Sequence, residues 1–262
     1  MNENANITRE ETADMLERII RTRRTAKLMS DPADRGVEHD AHWTAAHRDA
    51  LSAMIETAGA APFHRRAHEK THRQGALNSP VPWRFQVLER PDCRRLADAL
   101  ERRAEARPDS EWSRAWQSKI SAMLCACGAL VQATWLPDPE KVREDKPPGD
   151  GESRGIERDG EGEAAFTLGN VEHVAAASAA VQNLLLLATA QDWHSYWSSG
   201  GILRHPELFE LIDIAPAERL LGSIFLTPPD MPFERLVEGG LRGERGAASG
   251  WSRWVQVATD AE

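Results

Sequence analysis

The chain has 262 residues, 41% hydrophobic and 28% charged, enough for one substantial core or a core with an added arm. A net charge of −9 argues against a nucleic-acid scaffold, which carries a broad basic face, but leaves room for a local basic pocket that holds one phosphate. The polar, acidic start MNENANITREET reads as no signal peptide, and 3 cysteines, with Cys125 and Cys127 flanking one alanine, make neither a C-x-x-C redox pair nor a zinc knuckle and fit a reducing cytoplasm.

In chain order, Thr8 and Glu11 form a capping box ahead of the apolar stripe Met15, Leu16, Ile19 and Ile20, which predicts a first amphipathic helix. It runs into Arg21–Lys27, and Asp31-Pro32-Ala33-Asp34-Arg35-Gly36 makes a turn. Asp40 to Gly59 reads as a second helix with Trp43, Leu51, Met54 and Ile55 inward, ended by Ala61-Pro62-Phe63-His64. Arg65 to Ser79 is basic and reads as an exposed loop or short helix. Pro82 to Leu88 alternates like a strand; Asp92 caps a helix through Leu96 and Leu100; Trp112, Trp116, Ile120 and Leu124 space another; Ala129 to Trp135 is a second strand. Asp138 to Gly169 is dense in Pro, Gly and charge and reads as a long surface loop. After the central helix described next, Pro206–Ile212 is a short helix, Leu220–Leu226 a third strand stopped by Pro228-Pro229, and Trp254–Val257 a candidate last strand behind the Gly-rich segment 238–250.

The central helix starts at Val174. Ala175 to Ala180 are small and Leu184 to Leu187 are large, so it is apolar on nearly every side and must be covered on nearly every side. A membrane span is the alternative reading, but the apolar run is short for one, and Gln182 and Asn183 interrupt it. Trp193, Tyr196 and Trp197 then lead into Ser198-Ser199-Gly200-Gly201, an aromatic-to-small transition that suits the wall of a flat-ligand site.

Gln182-Asn183-Leu184-Leu185-Leu186 in a buried helix, followed by Trp197-Ser198-Ser199-Gly200-Gly201, resembles the nitroreductase family of FMN enzymes, and within it the YdjA-like subgroup. The likeness covers roughly residues 16–229. It implies an α+β fold, a central mixed or antiparallel sheet flanked by helices. It also implies a homodimer with the long central helix at its interface. On this reading the chain is a single domain over 1–262, with a core at about 8–229, insertions at about 65–79 and 138–169, and a C-terminal arm at 230–262.

The resemblance also names a site. Arg23-Arg24-Thr25 matches the family's R-R-S after the first helix, which holds the FMN phosphate; two forked guanidiniums and a hydroxyl suit that anion. The bland alternative is a solvated basic helix end. Ala60, Pro62, His64, Pro82, Trp83 and Phe85 follow the family's A-P…P-W-x-F segment, with Val81 where the family has Gln. Ala60 and His64 are therefore candidate cofactor contacts, and Asn78 or Ser79 are substitutes for His64. Trp197, Ser198, Ser199 and Gly200 match the loop at the flavin edge, where backbone N–H groups support charge that develops on reduction; Ser198 stands where the subgroup carries a basic residue. Arg242 and Arg245 match a C-terminal phosphate contact only loosely and read as a solvated tail. His64, His68 and His72 recur every fourth residue. They could share a helix face and bind zinc, but Arg65, Arg66, Lys70 and Arg73 repel a dication, so the segment reads as solvated and no metal site is expected.

The implied activity is FMN-dependent oxidoreduction with NAD(P)H as reductant and a small-molecule electron acceptor, a nitroaromatic or quinone, in a ping-pong cycle. No catalytic side chain is expected, since the flavin does the chemistry. No nucleic acid and no membrane partner are expected, and a cytoplasmic location is. The rival readings are a flavin-binding or interaction protein of the same fold with little turnover, and a biosynthetic flavin-dependent oxidase or dehydrogenase.

Overall fold

The structure is a computed structural model that describes residues 7–31, 37–73, 77–106, 114–138 and 167–255. Strands β2 (Trp83–Glu89), β3 (Ala129–Trp135), β4 (His194–Ser198) and β5 (Arg219–Thr227) form one antiparallel sheet in the order β2-β3-β5-β4. β1 (Ala26–Met29) and β6 (Arg235–Glu238) pair in a separate two-stranded ribbon. The helices are α1 (Arg9–Thr22), α2 (Ala45–Ala58), α3 (Glu69–His72), α4 (Arg90–Ala106), α5 (Arg114–Ala126), α6 (Leu168–Ala190) and α7 (Pro206–Leu211). The fold is the expected α+β arrangement, and the sheet is antiparallel throughout.

Strand alternation sorts the sheet's side chains into two faces. Leu88, Leu130 and Phe225 face α4 and α5, packing on Leu96, Leu100, Ile120 and Leu124. Val131, Ala133, Ile224 and Leu226 face α2 and α6, packing on Leu51, Met54, Val181, Leu184 and Leu185. Covered on both faces and both edges, β3 is buried along six of its seven residues. Each fully buried Leu in these layers, such as Leu124 or Leu184, contributes about 1.5–3 kcal/mol. A polar row crosses the first face: Gln86, Gln132, Ser223 and Ser198 lie side by side, and the Ser223 hydroxyl donates to Gln132 Oε1 at 2.6 Å.

The capping box forms as expected, with Glu11 N donating to Thr8 Oγ1 at 3.2 Å and Thr8 N to Glu11 Oε2 at 2.8 Å. The stripe behind it is not covered: α1 has no buried residue, and Met15, Leu16 and Ile20 stay exposed. The second helix begins at Ala45, behind Thr44, because Asp40 turns aside to pair with Arg94 at 3.0 Å and Arg90 at 3.6 Å.

The central helix α6 is longer than the apolar run. It starts at Leu168, capped by the Thr167 hydroxyl, which accepts from Asn170 N at 3.2 Å. Gly169 and Asn170 are weak helix formers, which hides this turn from the sequence. Tertiary contacts hold it: Asn170 Oδ1 accepts from Asp138 N at 2.9 Å, and His173 Nδ1 donates to the Leu136 carbonyl at 2.7 Å. At 23 residues, α6 is long and apolar enough to cross a membrane by length and composition, but here it is used as a core helix against the sheet and α2. Its interrupting amides differ: Gln182 is exposed, while Asn183 Nδ2 donates to the Ala58 carbonyl at the end of α2.

The small half of α6 does not lie on a free face. Ala176, Ala177 and Ala180 are buried within the subunit against Ala61 and Trp83. The open side is the stripe Leu168, Val171, Ala175 and Gln182.

Two strands escaped the sequence reading. β1 follows Arg23-Arg24-Thr25 directly, and β6 ends where the Gly-rich segment 238–250 begins. Trp254 and Val255 are exposed and outside any strand; Gln256 and Val257 lie outside the described residues, as do Trp112, Pro32–Gly36 and most of the 138–169 loop.

Gly222 is the close approach in the sheet. β5 shifts register beside it, between Ala133 and Thr134 of β3, and the Trp197 indole lies over the glycine, so a Cβ there would stand 2.1 Å from Trp197 Nε1. Gly222→Ala should therefore cost about 1–3 kcal/mol by overpacking. Gly240→Ala, with nothing within 4 Å of its Cβ position, should change stability by less than about 0.5 kcal/mol. Urea unfolding of both variants measures this; equal midpoints would refute the close approach.

Candidate functional site

α1 ends at Arg23, whose N–H donates to the Ile19 carbonyl at 3.0 Å and whose ψ of 124° turns the chain into extended structure. The next residues therefore point to alternate sides. Arg24 goes one way and pairs with Glu238 of β6, Nη1 to Oε1 at 2.7 Å. Arg23 goes the other way and meets Arg242 and Arg245 from the turn Leu241–Arg245: burial, then those two cations, hold its pKa below the ordinary arginine value. Arg242 Nη1 donates back to the carbonyls of Arg23 at 3.1 Å and Thr22 at 3.4 Å, joining residues 219 and 220 positions apart. Gly239 N donates to the Thr25 carbonyl at 3.0 Å, and a Cβ on Gly239 would stand 2.9 Å from Thr25 Cβ. The C-terminal arginines thus stay exposed but lie beside this corner, Arg242 by hydrogen bonds and Arg245 by its charge.

Among the described residues no carboxylate pairs with Arg23, Arg242 or Arg245. Like charges held this closely repel, and an anion with several oxygens relieves that repulsion through charge-assisted hydrogen bonds. The corner has the chemistry of a phosphate site. The sequence signal for its second half was only two arginines between glycines, and β1–β6 pairing is what carries them to Arg23.

β4 leads from the neighbouring ribbon to the second group of candidates. Ala26, His194 and Ser195 line one cleft of about 620 Å³ with Arg24 and Glu238, and Lys27 lies over the Tyr196 ring at 4.7 Å, so β1 and β4 start side by side. The other end of β4 is four rises away, about 13 Å. There Trp197 and Ser198 belong to the strand itself, not to a loop as the sequence suggested. Ser198 is buried, and its hydroxyl accepts from Gly200 N at 3.2 Å. Ser199 and Gly200 form the turn. Gly200 has φ 104° and Gly201 φ 53°, and a Cβ at 200 would meet Leu220 Cδ2 at 2.6 Å, so only glycine fits there.

Ala60 and His64 occupy a third neighbourhood, the loop after α2, and both are exposed. Phe63 packs edge-on to Trp83 at 5.7 Å and Arg65 pairs with Glu172 of α6 at 2.5 Å, which anchors the loop on the Ala176–Ala180 side. The segment after it is fixed, not simply solvated. Ala67 and Thr71 are buried, and the buried Arg84 guanidinium donates to the carbonyls of Ser79 at 2.7 Å, Val81 at 2.8 Å and His72 at 3.4 Å. α3 spans only Glu69–His72, with His68 as its cap, so His64, His68 and His72 do not share a helix face.

No protein-family model matches the chain, and no curated protein matches it. Among solved structures the chain is similar to a nitroreductase-like family protein from Bacillus cereus, with 20% identity over 88% of this chain and 95% of that one and a TM-score of 0.52. It is also similar to the FMN-dependent nitroreductase NfnB from Mycobacterium smegmatis in complex with NADPH, with 16% identity over 94% of this chain and 100% of that one and a TM-score of 0.50. At such identities the likeness is one of architecture: the chain has the nitroreductase-like fold.

Proposed function

We propose that this chain is a divergent member of the nitroreductase family, of the YdjA-like kind, and works as an FMN-dependent oxidoreductase. The observation that carries the reading is the Arg23–Arg242–Arg245 corner, which no carboxylate pairs among the described residues, held by the β1–β6 ribbon beside the start of β4, with a glycine turn at the far end of that strand. Arg23, Arg242, Arg245 and the Thr25 hydroxyl suit the terminal phosphate. The Ser199-Gly200 turn beside Trp197 and Ser198 suits the ring edge. Ala60 and His64 lie in a separate neighbourhood, and in this proposal they come from the partner subunit of a homodimer. Arg24 is spent on Glu238 and contributes little directly. When bound, FMN supplies reversible hydride chemistry, taking electrons from NADH or NADPH and passing them to a nitroaromatic, a quinone or a similar flat acceptor. The chain's own part is to bind, orient and exclude water. The three cysteines are buried and form no disulfide, and burial pushes the Cys93 pKa well above the ordinary thiol range, so Cys93 is not poised as a nucleophile. A cytoplasmic setting is part of the proposal.

A second reading, flavin binding with little turnover, is favoured by one observation: the Gly200 N–H is turned back onto the buried Ser198 hydroxyl, so that backbone donor is not offered to the ring. Spectra before and after anaerobic NAD(P)H separate the two.

The purified protein should be yellow and release FMN on denaturation. Arg23→Ala and Arg242→Ala should each lose about 1.5–3 kcal/mol of FMN binding, the worth of hydrogen bonds to a charged group. Arg24→Ala, which removes an exposed pair, should lose less than about 1 kcal/mol. Titration of FMN fluorescence reads all three; recovery of FAD, or equal losses at Arg23 and Arg24, would contradict the assignment.

NAD(P)H should bleach the flavin and a nitroaromatic or quinone should restore it. Steady-state plots against both substrates should be parallel, as one open site serves each in turn. Intersecting lines would argue against that shared site.

The homodimer is supported by apolar surface left open in one subunit: Met15, Leu16 and Ile20 of α1, Leu168 and Val171 of α6, and Trp251, Trp254 and Val255 of the tail, Trp254 being fully exposed. An obligate interface over these residues should bury more than about 2,000 Å² in total, and the tail could do so by packing on the partner. Val171→Asp should then shift the protein to monomer and release flavin, followed together by sedimentation velocity and flavin absorbance. A wild-type monomer that keeps its flavin would end the proposal.

A further inference from the structure

The turn after β4 carries no cationic side chain of its own, yet a cation holds it from behind. Arg204 ends the turn Gly201–Arg204 and spreads its guanidinium over three carbonyls. Nε donates to Ser199 O, Nη1 to Leu220 O at 2.8 Å, and Nη2 to Leu221 O at 3.4 Å. The first carbonyl belongs to the turn; the others belong to β5, beside its register shift. Among the described residues no carboxylate neutralises Arg204. Arg204 as a whole is exposed, the covered part of its guanidinium pulls its pKa below the ordinary arginine value, and it remains a cation at any physiological pH.

The rest of the turn's backbone follows from this. The Ser199 carbonyl is drawn back to Arg204, the Gly200 carbonyl accepts from Leu203 N at 3.0 Å, and Gly200 N donates to the Ser198 hydroxyl at 3.2 Å. A Cβ on Gly200 would meet Arg204 Cγ at 3.2 Å, so the glycine backbone lies directly on the arginine stem. The negative ends of both peptide dipoles are thus engaged by donors, and a full positive charge stands one residue layer behind the turn. Fixed charge and dipoles of this kind act where negative charge develops, because they need no reorganisation.

We propose that Arg204 is the positioning residue for the flavin edge: it fixes the Ser198–Gly201 turn and supplies, from behind it, the positive charge that favours the reduced flavin. This rests on the FMN reading above. The guanidinium is suited to the task because one planar fork reaches three carbonyls at once, which an ammonium cannot do.

The test uses the full-length protein with Arg204→Gln and Arg204→Lys. Hydrogen exchange of residues 198–203 is measured without cofactor, and the flavin midpoint potential and FMN affinity are measured with it. Arg204→Gln should speed exchange in the turn and weaken the preference for reduced over oxidised flavin about tenfold, a drop of about 30 mV for a two-electron couple. Arg204→Lys should speed exchange similarly but keep a potential close to wild type. If the Gln variant does not fold, the Lys variant still decides: turn protection equal to wild type would overturn the proposal. An unchanged potential in a folded, flavin-loaded Arg204→Gln protein would also overturn it, while leaving the FMN reading intact. A wild-type protein with no affinity for FMN would overturn both.

Discussion

The ribbon between Ala26–Met29 and Arg235–Glu238 is the constraint on which the candidate site depends. It ties the two ends of the described chain together outside the main sheet. Without it Arg242 and Arg245 would be distant, solvated cations, and Arg23 would be an ordinary helix end. With it, Arg242 reaches the carbonyls of Thr22 and Arg23, and the three guanidiniums share one corner. Holding like charges together costs free energy, and functional sites are where such costs are concentrated.

The main sheet serves this corner by orientation. β4 is an edge strand whose start lies beside the ribbon and whose end is the glycine turn. The two cores on its faces, one under α4 and α5 and the other under α2 and α6, make β4 and β5 a rigid support. Gly222 lets Trp197 lie flat over β5, Gly200 lets the turn close on Leu220, and Arg204 takes up the carbonyls that this folding leaves over. The same strand thus runs from the side of the ribbon that holds the arginines to the glycine turn.

One subunit leaves much apolar surface open. α1 buries nothing, α6 shows solvent a stripe through Leu168 and Val171, and the tail carries Trp251 and Trp254 into solvent. Exposed apolar patches of this kind mark interaction sites, and a second copy of the chain is the occupant proposed above. Ala176, Ala177 and Ala180 of α6 let Trp83 and Ala61 come close within the subunit. A stripe of alanines says that something packs tightly, and not whether that something belongs to the same chain.

Local sequence determined what local forces decide. The Thr8–Glu11 capping box, the alternation of Pro82–Leu88, the segment Leu220–Leu226 stopped by Pro228-Pro229, and the apolar run through Leu184–Leu187 each name their element, because capping, burial periodicity and chain breakers act over a few residues. The resemblance placed Arg23 and the Ser198–Gly201 turn as candidates without relating them in space. Tertiary structure alone decided the rest. β1 and β6 are short and have no strong pattern, and each is a strand only because the other lies beside it. The first turn of α6 is helical because Asp138 and Leu136 supply partners for Asn170 and His173. Arg242, Arg245 and Arg204 are unremarkable in the sequence. Their roles come from which carbonyls and charges the fold sets around them, and pairing between residues more than 200 positions apart leaves no local trace.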